Sequence, residues 1–200
     1  LRWATPDEID QLRAYTFATK AFFSSTTGIL DAPTAIRSLA REIEKLGAIV
    51  LKKTSLDYPE ITPQGLNFRL GDDSISTRIL VNAAGLGAVT LRKQLGLLDL
   101  EDKYVRGHYL KTTQKYFTDS LIYPLPEKNL KGLGVHTTFD INRSLRFGPD
   151  TLDVTDLKYE MPDSLLASFI PAIQKTFKNI NIDLLQLDFS GIRPKVINKE

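Results

Sequence analysis

Cysteine is absent from this 200-residue sequence, which removes disulfides, thiolate-held zinc, iron–sulfur clusters and a thiol nucleophile. Histidine is scarce. His108 and His136 are the only two, without HxH or HxxxH spacing and without an acidic cluster beside either, so no metal site is expected. No apolar run approaches the ~18 residues of a membrane span, so no transmembrane segment is expected. The opening LRWATPDEID lacks a signal-peptide layout. Charge of one sign is lacking too. The 26 basic and 24 acidic residues are interleaved and leave +2, without the basic stripe of a nucleic-acid binder; charge thus argues neither for nor against a particular partner, and no nucleic acid is among the partners expected. Three sequence signatures are missing: GxGxxG, GxxxxGK[ST] and GxSxG. Gly85/Gly87 and Gly132/Gly134 each lack a third glycine, so a nucleotide site complete within this chain is not expected.

What remains is an ordinary globular composition, 42% hydrophobic and 25% charged, long enough for one large domain or two small lobes. Thr5-Pro6-Asp7-Glu8 predicts a helix start, with Thr5 as N-cap, Pro6 at the first helical position and acids at the positive end of the dipole; the helix should reach about Tyr15. TFATKAFFSSTTG has strand composition. Asp31 should cap a helix through APTAIRSLAREIEKLG, with Ile36, Leu39, Ala40, Ile43 and Leu46 at helical spacing and Gly47 ending it. AIVLKKT then reads as a strand, which makes a crossover unit with parallel pairing. Between Leu56 and Asn82 three short strands separated by Pro59, Pro63-Gln64-Gly65 and Gly71-Asp72-Asp73 predict a β-meander, and Ile79-Leu80-Val81 a further strand.

Asn82-Ala83-Ala84-Gly85 leads into a short helix. Small side chains at such a turn let another group approach the backbone; close helix–sheet packing explains them equally well. Beyond residue 100 strands dominate, at 103–116, 120–125, 131–139 and 143–148. A helix from Pro162 to Phe177 contains Pro171, and LLQLDFSGIRPKV closes as a strand.

The densest chemistry lies between Lys103 and Asp150. His136 follows Gly132-Leu133-Gly134 and suits a general base or hydrogen-bond donor, since imidazole titrates near neutrality; a structural role for a strand histidine competes with that. Arg106, Arg146 and Arg193 each stand close to a glycine and can fork onto a carboxylate; surface ion pairing is the alternative, most of all for Arg146. Arg193 is the strongest of the three because Gly191 and Pro194 set the backbone around it. Tyr109 and Tyr123 are pocket walls or core.

Taken together, the motifs resemble the FAD-dependent oxidoreductases of the D-amino-acid oxidase superfamily, and within it the branch of L-2-hydroxyglutarate dehydrogenases and oxidases. The segments that carry the likeness are Ser25-Thr26-Thr27-Gly28-Ile29-Leu30-Asp31, Val81-Asn82-Ala83-Ala84-Gly85, Arg106-Gly107-His108-Tyr109 and Ile122-Tyr123-Pro124-Leu125-Pro126. Leu133-Gly134-Val135-His136-Thr137-Thr138, Arg146-Phe147-Gly148-Pro149-Asp150 and Gly191-Ile192-Arg193-Pro194 complete the series in the family's order.

The resemblance implies an α+β (mixed α/β) fold: part of an FAD-binding lobe with a β-meander, and an antiparallel-sheet substrate lobe with flanking helices. The expected division is 1–27 and 99–190 for the substrate lobe, 28–98 and 191–200 for the partial FAD lobe. It implies FAD contacts at Leu56, Ala83, Ala84, Gly85, Gly191 and Ile192, and a small 2-hydroxy acid held by Arg106, Tyr109 and Tyr123. His136 and Arg193 are the implied catalytic pair, a base for the hydroxyl proton and a clamp for the carboxylate. The electron acceptor stays open.

Two family segments are missing, the N-terminal strand–GxGxxG–helix and a C-terminal glycine-rich stretch, and Arg13-Ala14 stands where Glu-Pro is frequent. The expectation is therefore a fragment of a longer cytoplasmic protein, with peripheral membrane association open, that alone binds little FAD. An amine or amino-acid oxidase, a glycerol-3-phosphate-type dehydrogenase and a non-catalytic module that kept the fold are the alternatives.

Overall fold

The computed structural model describes residues 1–98, 100–115, 118–126 and 134–198. The expected strand positions 131–133 and 116, and Gly132 and Leu133 ahead of His136, lie outside the described residues. Among the described residues four helices and ten strands form an α+β fold, and the chain divides into two units, Leu1–Ala32 with Arg106–Ile192, and Pro33–Val105 with Arg193–Glu200.

In the first unit, β1 (Arg2–Trp3) pairs antiparallel with β2 (Phe22–Phe23). Between them α1 (Pro6–Leu12) starts on the expected cap, with a full capping box. Glu8 N–H donates to the Thr5 hydroxyl at 3.3 Å, and the Glu8 carboxylate accepts Thr5 N–H at 2.8 Å. α1 stops three residues short of Tyr15, and Thr16 instead bridges to Phe177. The strand expected from residue 16 onward shrinks to Phe22–Phe23, the only part that finds a ladder partner in β1.

The second unit opens with α2 (Ala32–Lys45). Gly47 N–H bonds to Glu44 O and Ala48 N–H to Ile43 O, the paired return bonds of a Schellman ending. The expected strands at 48–54 and 79–81 are corrected to irregular chain, and the parallel crossover with them. Residues 48–51 and 79–81 are apolar, but no neighbouring strand takes up their backbone groups among the described residues, and a lone strand is not stable in water. The meander forms, β3 (Asp57–Thr62), β4 (Gly65–Leu70) and β5 (Asp73–Thr77) pairing antiparallel in that order, but Pro59, expected between strands, lies within β3, where the register with β4 shifts between Asp57 and Glu60. A 3-10 turn at Gly85–Gly87 then leads into α3 (Ala88–Gln94).

The main sheet is built on β6 (Leu100–Thr112), with β7 (His136–Phe139), β8 (Leu145–Gly148) and β10 (Leu185–Asn198) in the order β10-β6-β8-β7. β9 (Leu152–Val154), which the sequence did not suggest, also pairs with β6. The strand expected at 120–125 is corrected to an irregular segment: Pro124 and Pro126 lack ladder donors, and Ile122 is bound to Thr137, N–H to the threonine hydroxyl at 2.7 Å and carbonyl to its N–H at 3.0 Å. α4 (Ser164–Thr176) runs through Pro171 without breaking. Its Phe169 and Ile173 join Leu110, Phe139, Leu145, Phe147, Phe177 and Leu185 in one core, with the Phe147 and Phe177 rings edge-on at 5.3 Å. That core fixes one face of the sheet.

Candidate active site

Strand alternation sorts the candidate residues of the first unit by face. Leu110, Phe147 and Thr137 stand in register across β6, β8 and β7 and are fully buried on the core face. One step along, Gly148 registers with His136, and a Cβ added to Gly148 would lie 2.7 Å from the Tyr109 ring, so His136, Gly148 and Tyr109 form a row on the opposite face. Tyr109 stacks on Phe189 of β10 at 4.6 Å, which extends the row across the sheet. Arg106 and His108 alternate with Tyr109 and follow the buried phase of Leu110, so they sit on the other side of β6 from His136.

His136 is the best defined group in the row. It is 7% exposed, and its ring lies parallel to Tyr123 at 4.1 Å and 17°. The two Ile122–Thr137 bonds bring Tyr123 there, and Pro124 packs where a Cβ on Gly134 would be, 3.0 Å away. Gly134 also has φ +74, so only glycine suits the position. Its carbonyl lies 3.1 Å from His136 Nδ1. A carbonyl only accepts, so Nδ1 carries the proton and the neutral ring presents its lone pair at Nε2. Burial pushes the imidazole below its ordinary range, and the bond to Gly134 offsets this in part. The arrangement yields a neutral imidazole with one defined acceptor nitrogen.

The arginines fare differently. Arg106 is 9% exposed and donates to Asp156 Oδ1 at 2.5 Å, while its buried Nε has no acceptor among the described residues. Arg146 is committed to Asp188 at 2.5 Å and stands 3.5 Å from Asp140, the ion-pair reading of the sequence. Arg193 is exposed and has no carboxylate partner among the described residues. The Asp150, Asp156 and Asp188 partners were missed by sequence reasoning, because they lie 42 to 50 positions from the groups they hold and no local pattern marks them.

In the second unit the Asn82-Ala83-Ala84-Gly85 turn is tied by its own asparagine, which donates to Ala88 O at 2.8 Å and accepts Ala84 N–H at 3.3 Å. Ala83, Ala84 and Gly85 are exposed, and nothing lies within 4 Å of a Cβ built on Gly85. Leu56 is exposed beside the meander. In the first unit Gly191 is equally open and Ile192 is half-buried. Within the second unit, the small, open Ala83-Ala84-Gly85 turn fits the approach of a flat cofactor ring.

The sequence matches the FAD dependent oxidoreductase family over residues 1–199, and the chain belongs to that family. It is 36% identical over 134 residues to the mitochondrial L-2-hydroxyglutarate dehydrogenase of Arabidopsis thaliana, an alignment covering 59% of this chain and 27% of that protein. The L-2-hydroxyglutarate dehydrogenase of Indibacter alkaliphilus is 29% identical over 155 residues, covering 76% of this chain and 39% of its own. Among solved structures, glycine oxidase from Bacillus cereus matches with TM-score 0.76 at 13% identity, over 97% of this chain and 53% of that one. The FAD-bound L-alpha-glycerophosphate oxidase of Mycoplasma pneumoniae matches with TM-score 0.70 at 20% identity, over 82% and 44%. These structural likenesses show the fold. The chain thus spans about half the length of these proteins or less.

Proposed function

We propose that this chain is the substrate lobe and part of the FAD lobe of an oxidoreductase that converts a small 2-hydroxy acid, 2-hydroxyglutarate or a close analogue, to the 2-oxo acid. The observation that carries the reading is His136: a buried, neutral imidazole with Nδ1–H committed to Gly134 and Nε2 left as acceptor. That is the state a base needs to take a hydroxyl proton near neutral pH. The two relatives named as L-2-hydroxyglutarate dehydrogenases support the substrate class.

FAD, when bound, supplies the two-electron acceptor for the hydride leaving the α carbon. This chain's residues do the rest. His136 Nε2 receives the hydroxyl proton, so one hydride and one proton leave and a carbonyl remains. Tyr123 covers the imidazole and keeps water from its face. Tyr109, stacked on Phe189, is a rigid wall of the same sheet face. Arg193, exposed and without a carboxylate partner among the described residues, is the proposed carboxylate clamp. Arg106 holds Asp156 on the opposite side of β6 from His136, so no contact with the same substrate is proposed for it. The residues proposed to meet FAD are Leu56, Ala83, Ala84 and Gly85 of the second unit, and Gly191 and Ile192 of the first.

Anaerobic flavin reduction tests this. The whole oxidoreductase, loaded with FAD, should bleach on adding L-2-hydroxyglutarate, and His136→Gln in it should slow the reductive step by roughly 10²–10⁴-fold. Bleaching by amino acids or glycerol 3-phosphate with none by 2-hydroxy acids would move the protein to another oxidase class. An FAD-loaded protein inert to all of them would support the non-catalytic module.

A further inference from the structure

We infer that His108 and Asp150 form a positioning pair that sets the geometry of His136 and Tyr109 from the other side of the sheet. The inference rests on the reading of His136 as the base. β8 pairs with β6 at Leu110↔Phe147 and Lys111↔Arg146, and β9 pairs with the same strand. Between those two stretches the chain passes through Gly148, Pro149 and Asp150, which form no ladder rung with β6 in that register. Pro149 has no N–H to offer.

The Asp150 carboxylate fills the gap. It accepts the His108 main-chain N–H at 2.7 Å and reaches the same residue's Nδ1 at 2.9 and 3.0 Å. A carboxylate oxygen has no proton to give, so Nδ1–H is the donor. One side chain thus holds both the backbone and the ring of a residue that is 2% exposed. It takes the place of the main-chain acceptor that an unbroken strand would provide.

The splice leaves no slack. A Cβ on Gly107 would fall 2.7 Å from Pro149 Cβ, and one on Gly148 would fall 2.6 Å from His108 O and 2.7 Å from the Tyr109 ring. Gly148 is also the register partner of His136. His136 and Tyr109 therefore share one backbone neighbour, and the Asp150–His108 contact fixes where that neighbour lies. The pair's influence on the chemistry passes through Gly148.

Because the chain has only two histidines, its imidazole nitrogen NMR spectrum contains two spin systems and reads each ring separately. In Asp150→Ala the His136 ring should change along with His108, from the Nδ1–H tautomer toward a mixture as its bond to Gly134 loosens. Asp150→Asn, whose amide oxygen still accepts the His108 N–H, should lie between. If Asp150→Ala does not fold, the asparagine variant makes the same comparison. In the FAD-loaded protein the loss should fall on kcat, by roughly 10- to 10²-fold, with KM little changed. Variants that disturb only the His108 nitrogens, or that raise KM at unchanged kcat, would overturn the inference. Should wild-type protein oxidise no 2-hydroxy acid, the functional reading fails while the NMR comparison still decides whether the pair positions His136.

Discussion

His136 offers a test that needs no cofactor. Burial favours its neutral form in the folded chain, so its folded pKa lies below the ordinary imidazole value of about 6.5 that it regains on unfolding. Between the two values the unfolded chain binds more protons, and stability rises with pH. The contribution is complete above the unfolded pKa and is lost as pH falls through it toward the folded one. The denaturation midpoint of the wild-type chain should thus drop between about pH 7.5 and pH 5 more than that of His136→Asn, which cannot titrate. Parallel profiles for the two proteins would mean that the ring is not held neutral. At this scale the sequence was legible in one direction only. The short motifs drew attention to His136, Tyr123 and Tyr109, and the structure gathers these on one face of the sheet and its covering segment. Arg106 belongs to the same motif as Tyr109, yet alternation turns it to the opposite face, where Asp156 takes it up. Partners brought in from 42 or 50 positions away depend on the sheet register, which no single stretch of sequence displays.

Elements whose signals are local formed where the sequence put them. α1 is the clearest case. Thr5 accepts Glu8 N–H, and the Glu8 carboxyl is held down to about 2, first by its bond to Arg2 and then by Thr5 N–H. Thr5→Ala removes one arm of this box and should cost about 1 kcal/mol, read as a lower urea midpoint, while Thr5→Ser should recover most of the loss. No difference between alanine and serine would show that α1 is held by Ile9 packing alone. The meander, the Gly47 helix ending and α4 were legible for the same reason: turn residues and helical spacing act within a few positions. Strands at 48–54 and 79–81 were not decided by their own residues. Ile49 and Val81 are strand-formers, yet they are 84% and 81% exposed, because a strand exists only with a neighbour to bond. The 120–125 segment failed differently, through prolines that cannot serve a ladder.

The whole molecule combines a well-packed unit with one whose apolar groups are largely uncovered. The core gathered by α4 holds the face on which His136 and Tyr109 depend. In the second unit, by contrast, Ile36, Leu39, Ile43 and Leu46 of the helical segment are exposed, as are Ile49, Leu51, Ile79 and Val81. The same unit carries the open Ala83-Ala84-Gly85 turn proposed for FAD. Contact with a flat ring at such a turn is weak unless the pyrophosphate is also held. A glycine-rich loop running into a helix N-terminus does that by aiming several backbone N–H groups at the anion. This 200-residue sequence has no GxGxxG. The chain on its own should therefore retain little FAD: after incubation with excess cofactor and desalting, the protein fraction should be colourless, without the visible flavin band. A yellow fraction with stoichiometric FAD would show that the Ala84 turn and its surroundings bind the cofactor without a phosphate cradle, and would make holoenzyme measurements on His136 and Asp150 practicable in this chain alone.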